Sequence, residues 1–497
     1  MRKILFALTA AVLPALALSA CSGGNTAPAS GMSTLPNLAQ QGRVHRDDTS
    51  AHDLHAGGSS FADYAYNLGN QPTGLYTQSQ AAPPPGSVNY GAEQTFGNSH
   101  QVYYCSTGSG TGRKEFTGAV SVGASACAAL GLSPVGFGGR KDPIDFVGSD
   151  AGLASTECCG SGTPYNTNYA STYGQPFEIP VFGGPVSYGY INTSGHGLTG
   201  LGSGVLKLST WTSCAITNGT IGYWDDPAIT ADNGGTAVAG HQPISFFYRS
   251  DGSGTTYAFE LHLANTASGC NQTFHAPYNK APYAGGGRSA AWTFPPVTTS
   301  GNWTGPTGTQ PSGSVFEGES GNPGVLEGIQ GTLGTGFPYA TGYVEGAWVA
   351  GASNPSVAQA SLLTTGNTFV KPTDSAAVAL ALQKANTITY GEGDDAISLG
   401  SSTPWCQLFV NPSLYAASPY KPAKGAYPIV SLTYLDFYGK HNGTHYNDLK
   451  KYITYFTGTA INTVIAPLEY SPLISKLKRA DLTALRGSGS HAPCLNQ

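Results

Sequence analysis

Charged side chains are scarce in this chain. Only 10% of its 497 residues are Asp, Glu, Lys or Arg, and 28 acidic residues against 23 basic ones give a formal net charge of −5. This balance excludes a basic stripe of the kind that binds nucleic acid, so we expect no nucleic-acid partner. An anionic ligand would have to be held by local dipoles and hydrogen bonds, because the chain as a whole does not attract anions.

Long apolar runs are missing beyond the first residues, since none reaches the roughly 18 consecutive apolar residues of a membrane span. Residues 1–20 carry Arg2 and Lys3 ahead of an apolar stretch, which predicts an export signal peptide. The sequence LSAC that ends at Cys21 resembles the lipobox of bacterial lipoproteins, in which the cysteine receives lipid. We therefore expect a protein of the bacterial cell envelope, anchored to a membrane only through lipid on Cys21 and facing the periplasm or the exterior. An uncleaved membrane helix is the alternative.

Motifs of common enzymes are absent as well. The chain has no H-E-x-x-H zinc motif and no G-x-S-x-G nucleophile elbow. The glycine-rich segment TGSGTGRKEF (107–116) lacks the spacing of a P-loop and that of a dinucleotide site. Histidines in HRDDTSAHDLH (45–55) could bind a metal, but they fall where we expect a tether. We therefore predict no enzyme of these classes, and neither a cofactor nor a metal site.

Nine cysteines are present, and setting Cys21 aside leaves an even number. An even count in an exported protein predicts up to four disulfides. No CxxC pair occurs, which argues against zinc. The spacing does not assign the pairing of these cysteines, which stand at positions 105, 127, 158, 159, 214, 270, 406 and 494.

The order of segments predicts an α/β protein. After the signal peptide, residues 21–53 are polar and lack periodicity, as expected of a flexible tether. Residues 78–91 and 281–314 are rich in proline and small residues and are interpreted as surface loops. Elsewhere strand-like runs alternate with helix-like segments, and the length favours two domains. The strand-like runs are 143–153, 177–191 and 427–438, and the helix-like segments are 374–388 and 447–456, where Leu449, Tyr452, Ile453 and Phe456 share one face.

Four loops rich in Gly, Ser and Thr stand next to strand-like or helix-like segments. They are GGSSF (57–61), TGSGTG (107–112), GSDAG (148–152) and RSDGSGT (249–255). The last one follows an apolar strand-like run and precedes a helix-like pattern, so its backbone N–H groups would lie at the positive end of a helix dipole. Arg249 adds a planar fork of donors suited to an oxyanion. A surface turn with a solvated Arg249–Asp251 pair is the alternative interpretation.

In order and spacing these loops resemble those of the phosphate-binding protein of the bacterial phosphate ABC importer. That family has an opening G-x-G-[AS]-[ST]-F, a G-S-x-x-G loop, a strand ending F-x-x-S-D-x-x-L and the signature R-x-D-G-S-G-T. The chain also contains three segments that are similar to further motifs of the family: NGTIGYWDDPAI (218–229), GNPGVLEGIQGTLGTGFPYATGYVEGAWV (321–349) and YPIVSLTY (427–434). The resemblance extends from about residue 55 to the C-terminus, with long insertions.

The resemblance implies a set of phosphate ligands. In the family these residues hold a dehydrated phosphate through hydroxyl and backbone donors, with one arginine as the cation and an aspartate that accepts the phosphate's own proton. Asp251 would pair with Arg249 and orient its guanidinium. The alternative for Asp150, the expected acceptor, is a role in a turn or as a helix cap. Carried over position by position, the ligands are Ser60, Phe61, Ser109, Asp150, Arg249, Ser253, Gly254 and Thr255.

The resemblance also implies a two-lobed periplasmic-binding-protein fold, of the type II kind, with the ligand cleft between the lobes. Lobe 1 would comprise residues 54–181 and 428–497, and lobe 2 residues 182–427, with hinge strands near EIPVFGG (178–184) and AYPIVS (426–431). We expect a monomer that binds inorganic phosphate, accepts arsenate as an analogue, and delivers phosphate to an ABC permease. A secreted phosphatase-like relative and a surface protein that uses the binding fold are the alternatives.

Overall fold

One mixed sheet of ten strands organises the described part of the protein. The computed structural model describes residues 53–69, 83–98, 100–119, 144–192, 197–265, 311–331, 337–351, 357–364, 368–383, 389–390, 406–410, 424–488 and 492–497. The predicted signal peptide, the lipidation site Cys21 and nearly all of the predicted tether lie outside these residues. Within them, no helix is both long and apolar enough to cross a membrane.

The large sheet has the strand order β2-β1-β3-β14-β4-β8-β6-β7, with β9 and β15 also pairing with β4. Strands β1, β2 and β3 are mutually parallel, as are β6, β7 and β8, while β4 and β14 run antiparallel to their neighbours. The strands are β1 (Leu54–Gly58), β2 (Val102–Ser106), β3 (Phe146–Ser149), β4 (Pro176–Ile191), β5 (Lys207–Leu208), β6 (Ser245–Arg249), β7 (Phe316–Glu319), β8 (Ala340–Glu345), β9 (Val357–Gln359), β10 (Ser361–Thr364), β11 (Thr368–Val370), β12 (Thr389–Tyr390), β13 (Leu408–Phe409), β14 (Val430–Tyr438) and β15 (Ser471–Pro472).

Helices cover the faces of this sheet, and three short 3₁₀ turns lie at Thr199–Leu201, Gly443–His445 and Ala466–Leu468. The α-helices are α1 (Asp63–Asn67), α2 (Val88–Phe96), α3 (Ser109–Thr117), α4 (Ser155–Cys158), α5 (Pro164–Asn168), α6 (Ala170–Tyr173), α7 (Thr210–Thr217), α8 (Pro227–Asp232), α9 (Gly254–Asn265), α10 (Gly321–Gln330), α11 (Gly346–Gly351), α12 (Ser375–Leu382), α13 (Tyr446–Thr457), α14 (Ala460–Ile465) and α15 (Ser475–Arg486).

Strand β4 connects the two halves of the sheet. All 16 of its residues are buried, and its first part pairs with β14 while its last part pairs with β8. The chain thereby passes from the half that contains β1–β3 to the half that contains β6–β8. The segments predicted as hinges lie in β4 and at the start of β14. The lobe boundaries at 181/182 and 427/428 stay a prediction.

Most elements expected from periodicity are confirmed. The three strand-like runs contain β3, β4 and β14, and the segment 447–456 lies in α13. The four residues of α13 that were expected to share a face, Leu449, Tyr452, Ile453 and Phe456, are each 0% exposed and belong to one core cluster. The helix expected within 374–388 is α12, capped by Asp374, whose side chain accepts from the N–H groups of Ala376 and Ala377.

The interpretation of residues 78–91 as a loop throughout was wrong at its end. Helix α2 begins at Val88, because the Ser87 side chain accepts a hydrogen bond from the Tyr90 N–H and caps the helix. Because the prolines and Gly86 dominate the composition of this segment, the composition predicts a loop even though Ser87 caps a helix. Most of the second predicted loop, 281–314, lies outside the described residues.

Disulfides are present, as predicted. Cys406 and Cys494 are bridged across 88 residues of sequence, and the neighbours Cys158 and Cys159 are bridged to each other. Cys105 and Cys214 are also disulfide-bonded. Positions 127 and 270 lie outside the described residues.

Candidate functional site

The carboxyl ends of three parallel strands meet at one edge of the sheet. Gly58 ends β1, and its carbonyl accepts from the Thr107 N–H, which follows β2, at 2.9 Å. The Ser59 N–H donates to the Gly148 carbonyl of β3 at 2.8 Å. Gly58 has φ 119°, and an added Cβ would lie 2.2 Å from the Gly148 oxygen, so only glycine fits here. Three of the four predicted anion loops therefore begin side by side.

Asp150 follows β3 and is 2% exposed. The Ser59 hydroxyl lies 2.6 Å from each of its carboxylate oxygens, and the Ser109 hydroxyl donates to Oδ2 at 2.9 Å. Burial raises the pKa of Asp150, although hydrogen bonds from Ser59, Thr433 and Ser109 and the charge of Arg249 oppose the shift. The carboxylate is thus a buried acceptor among hydroxyl donors, which is more than a turn or helix cap requires.

Ser109 is the first residue of α3, behind Gly108, whose φ is 82°. The first N–H groups of this helix have no carbonyl partner within it and therefore favour negative charge. One of them, on Gly110, donates to the Gly252 carbonyl at 3.0 Å. This bond brings the second and fourth predicted loops into direct contact.

Arg249 ends β6 and is 1% exposed. Its Nε and Nη2 atoms donate to Asp251 Oδ1 and Oδ2 at 2.6 and 2.5 Å, so the two planar groups form a side-on pair. Burial alone would raise the pKa of Asp251, but the charge and hydrogen bonds of Arg249 lower it below its usual range. The expected pairing is confirmed, and the interpretation of this stretch as a solvated surface turn is wrong.

Ser253, Gly254 and Thr255 form the start of α9. The Ser253 hydroxyl accepts from the Thr256 N–H at 3.1 Å, as a helix cap does, and Thr255 Oγ1 accepts from Arg249 Nη1 at 3.3 Å. An added Cβ on Gly254 would lie 2.4 Å from Asp150 Cβ. The helix start therefore packs directly on the buried carboxylate, and both belong to one cluster.

Ser60 and Phe61 complete the set of predicted ligands. The Ser60 carbonyl accepts from Trp348 Nε1 at 2.9 Å, and the Ser60 hydroxyl accepts from Asn322 Nδ2 at 3.3 Å. Phe61 is 0% exposed, and its carbonyl accepts from the Tyr470 hydroxyl at 2.7 Å. The first two bonds join the loop after β1 to α11 and α10, which follow β8 and β7, and the third joins it to the residue before β15.

Direct contacts link the candidate residues of the second, third and fourth loops, and Ser59 and Asn322 join the first loop to them. The sequence interpretation assigned no role to three residues that contact them: Ser59 and Thr433, which act on Asp150, and Asn322. Ser59 could have been noticed, because it adjoins Ser60 in GGSSF. Thr433 and Asn322 reach the site from a strand and a helix that are distant in sequence, so spacing along the chain does not reveal their contacts. Asn322 does belong to the quoted GNPGVLEGIQ motif.

Comparison with known proteins identifies the family and the fold. Residues 74–460 match the family model of the PBP superfamily domain. The chain belongs to the PBP superfamily. This chain is similar to the solved structure of the high-affinity periplasmic phosphate-binding protein PfluDING, bound with phosphate. The TM-score is 0.55 and the sequence identity 19%, and the match covers 90% of this chain and 99% of the other. The predicted two-lobed α/β periplasmic-binding fold is confirmed.

Two relatives of this chain carry names that describe different activities, one phosphate binding and the other a phosphatase. Phosphate-binding protein PstS 3 of Mycobacterium leprae is 27% identical over 337 residues, which are 67% of this chain and 64% of the relative. This chain therefore spans less than two thirds of that relative's length. Alkaline phosphatase L of Pseudomonas aeruginosa is 24% identical over 383 residues, which are 77% of this chain and 80% of the relative.

Proposed function

We propose that this protein binds inorganic phosphate in a cleft lined by its four Gly/Ser/Thr-rich loops, as an exported receptor. The proposal rests on Asp150, a buried carboxylate surrounded by hydroxyls and close to the Arg249 guanidinium. An ionised carboxylate is an acceptor only, so it can accept a proton from the ligand but cannot donate to it. Phosphate and arsenate carry such a proton near neutral pH, whereas sulfate does not.

Each proposed ligand has a chemical role. Ser60, Ser253 and Thr255 would supply hydroxyl donors, Phe61 and Gly254 backbone donors, and Arg249 the positive charge, with Asp251 orienting its guanidinium. The Ser109 hydroxyl, which donates to Asp150, would turn its proton to the anion. Asp150 would accept the P–OH proton through a charge-assisted hydrogen bond. The lobes would be residues 54–181 with 428–497 and residues 182–427, and they would close around the anion.

Binding calorimetry of the protein without residues 1–53, the predicted signal peptide and tether, tests this function with phosphate, arsenate, sulfate and a phosphate monoester. We expect tight binding of phosphate, binding of arsenate, and negligible binding of sulfate near pH 7. Sites built on such pairing reject an analogue that lacks the paired group by about 10⁴–10⁵-fold. Sulfate binding comparable to phosphate binding would show that the ligand class is wrong.

A receptor of this kind would also deliver its bound phosphate to a transporter. We infer that the protein is a monomer, held to a membrane through lipid on Cys21 and the tether 21–53, that passes phosphate to an ABC permease. The names of the phosphate-binding relatives support binding rather than catalysis. Incorporation of labelled palmitate into the natural protein, and its loss in Cys21→Ser, would test the anchor.

A phosphatase is the second candidate, and the similarity to Alkaline phosphatase L favours it. Asp150 argues for the receptor, because its charge would repel an ester dianion that has no proton to donate. Phosphate release from a model aryl phosphate, measured with and without added divalent metal, separates the two. We expect no release by the purified protein. Turnover that Asp150→Asn alters would support the enzyme.

A further inference from the structure

Asn322 bridges residues from two of the four loops. It lies in the first turn of α10 and is 0% exposed. Its Nδ2 atom lies 3.3 Å from the hydroxyl of Ser60, in the loop after β1, and 3.2 Å from the hydroxyl of Thr255, at the start of α9. Its Oδ1 atom accepts from the Glu345 N–H at 3.1 Å. Both ends of this amide are therefore engaged.

The orientation of the amide follows from chemistry. A backbone N–H can only donate, so the atom of Asn322 that faces Glu345 N must be the oxygen, and the NH₂ group must face the two hydroxyls. The NH₂ group has two protons and donates both of them. Both hydroxyl oxygens are therefore acceptors in these bonds.

An oxygen that accepts from Asn322 must direct its own proton elsewhere. Thr255 Oγ1 also accepts from Arg249 Nη1 at 3.3 Å, so both of its lone pairs are engaged and its O–H is left only as a donor. The Ser60 hydroxyl has the same polarity toward Asn322. The site then has two hydroxyls that donate, while Asp150 accepts.

We propose that Asn322 is a positioning residue for the anion, which leaves the Thr255 hydroxyl only as a donor and turns the Ser60 proton away from the amide and toward the ligand. This inference rests on the proposed phosphate site. Unprotonated phosphate oxygens then face Ser60 and Thr255, and the ligand's proton faces Asp150. Because the two hydroxyls belong to loops from different parts of the chain, one amide sets the donor polarity on both sides of the cleft.

The surroundings keep this amide in place before the ligand arrives. The Glu345 carboxylate accepts from the N–H groups of Ala347 and Trp348, at 2.8 and 3.2 Å, and so holds the start of α11. Trp348 in turn donates to the Ser60 carbonyl at 2.9 Å. The residue that orients Asn322 therefore also supports the loop that carries Ser60. Such preorganisation lowers the cost of ordering donors on binding.

The substitution Asn322→Asp tests the role at nearly constant shape. The ionised carboxylate of this variant cannot donate, so it would draw the protons of Ser60 and Thr255 away from the ligand and add a negative charge. We expect the phosphate Kd at about pH 8 to rise by about 100-fold relative to the unmutated protein. On acidification the introduced carboxyl becomes protonated and regains one donor, so the ratio of the two Kd values at about pH 5 should be at least about tenfold lower than at about pH 8.

The ratio of the two phosphate Kd values isolates the effect of the substitution at position 322. Phosphate itself and the charged or titratable neighbours Glu345, Arg249 and Asp150 are common to both proteins, so their titration largely cancels. Asn233 is a matched control, because its Nδ2 donates to the carbonyls of Lys207 and Ile229 and its Oδ1 accepts from the Lys207 N–H. We expect Asn233→Asp to leave the phosphate Kd ratio near one at every pH.

Asn322→Leu, similar in size but without polar atoms, gives a second variant. It should lose at least about tenfold in phosphate affinity with no dependence of the ratio on pH. If the unmutated protein does not bind phosphate, the proposed function itself fails. If it binds phosphate, and either Asn322→Asp shows a pH-independent ratio or Asn322→Leu binds normally, the positioning role is overturned. Should Asn322→Asp not fold, the affinity of the Leu variant decides the question.

Discussion

At the scale of single residues, the proposed selectivity among anions depends on Asp150. Its carboxylate is buried and contacted by Ser59 and Ser109, and burial raises its pKa above the ordinary value. While ionised it satisfies a protonated anion and repels an unprotonated one. Once protonated it becomes a donor and no longer discriminates. Selectivity between phosphate and sulfate should therefore depend on whether Asp150 is ionised.

We predict that Asp150→Asn narrows the gap between phosphate and sulfate affinity, because an amide offers a donor to sulfate as well as an acceptor to phosphate. In the unmutated protein, sulfate affinity should rise as the pH falls through the raised pKa of Asp150, whereas the variant should bind sulfate at every pH. Competition calorimetry with both anions measures this. Undiminished discrimination in the variant would mean that Asp150 only caps its loop.

The Arg249–Asp251 pair is the part of the site that sequence could predict. The two residues are separated by one position in a strand-to-helix loop, so local geometry suffices to join them. Asn322 is different, because its contacts with Ser60 and Thr255 span 262 and 67 residues. Such contacts arise from the crossing of whole elements, and spacing along the chain contains no information about them.

At the scale of elements, the start of α9 is pressed against the end of β3. An alanine Cβ at position 254 would lie 2.4 Å from Cβ and 2.9 Å from Cα of Asp150, closer than atoms can approach. One of the two backbones must therefore move. The conformation of α9 itself would tolerate alanine, which favours helices over glycine by about 1 kcal/mol.

We predict that Gly254→Ala remains folded but binds phosphate at least about tenfold more weakly, since displacing either backbone misaligns the donors around Asp150. Calorimetry gives the affinity and thermal unfolding gives the stability. Gly240→Ala is the matched control, because an added Cβ at Gly240 meets nothing within 4 Å and its φ is not positive. Equal affinities for the two variants would count against direct packing of α9 on the acceptor.

Helix α9 also contains a buried carboxyl away from the ligand loops. Glu260 is 2% exposed, and neither of its carboxylate oxygens has a hydrogen-bond partner among the described residues. Burial raises its pKa from 4.5 to about 8. The folded protein therefore retains a proton here that the unfolded chain releases at lower pH, so folding stability declines as the pH rises from 4.5 to about 8.

We predict that Glu260→Gln flattens this decline, because glutamine cannot ionise. The variant should match the unmutated protein most closely at about pH 5 and exceed its free energy of unfolding at about pH 8. Urea denaturation at several pH values measures the effect. A parallel pH dependence in both proteins would show that Glu260 is ionised in the folded state.

At the scale of the whole molecule, long-range pairing limits what sequence predicts. The alternation of segments and the amphipathic face of α13 follow from local periodicity, and both are confirmed. The pairing of β4 with both β14 and β8 does not follow from local periodicity, since these partners are distant in sequence. Disulfide pairing was equally inaccessible, because an even cysteine count restricts the number of bridges but not their partners.

The bridge between Cys406 and Cys494 connects the short described segment 406–410 to the C-terminal residues. Beside it, the Cys494 N–H donates to the Ala484 carbonyl, and Leu495 is 0% exposed. The bridge closes a loop across a sequence separation of 88 residues. In the chain-entropy view, closing a loop of that length restricts the unfolded chain and stabilises the fold by about 4 kcal/mol.

We predict that the double substitution Cys406→Ser with Cys494→Ser lowers the free energy of unfolding by about 4 kcal/mol. Cys158→Ser with Cys159→Ser is the matched control, because a bridge between neighbours closes no loop and should change the entropy of the unfolded chain much less. Guanidinium denaturation under non-reducing conditions gives both values, and alkylation followed by intact mass verifies that the eight cysteines after Cys21 are largely oxidised in the unmutated protein. Phosphate affinity should survive the loss of the long bridge, since neither cysteine belongs to the proposed ligand set. If the two double variants lose equal stability, the bridges act through local packing and not through the entropy of the unfolded chain.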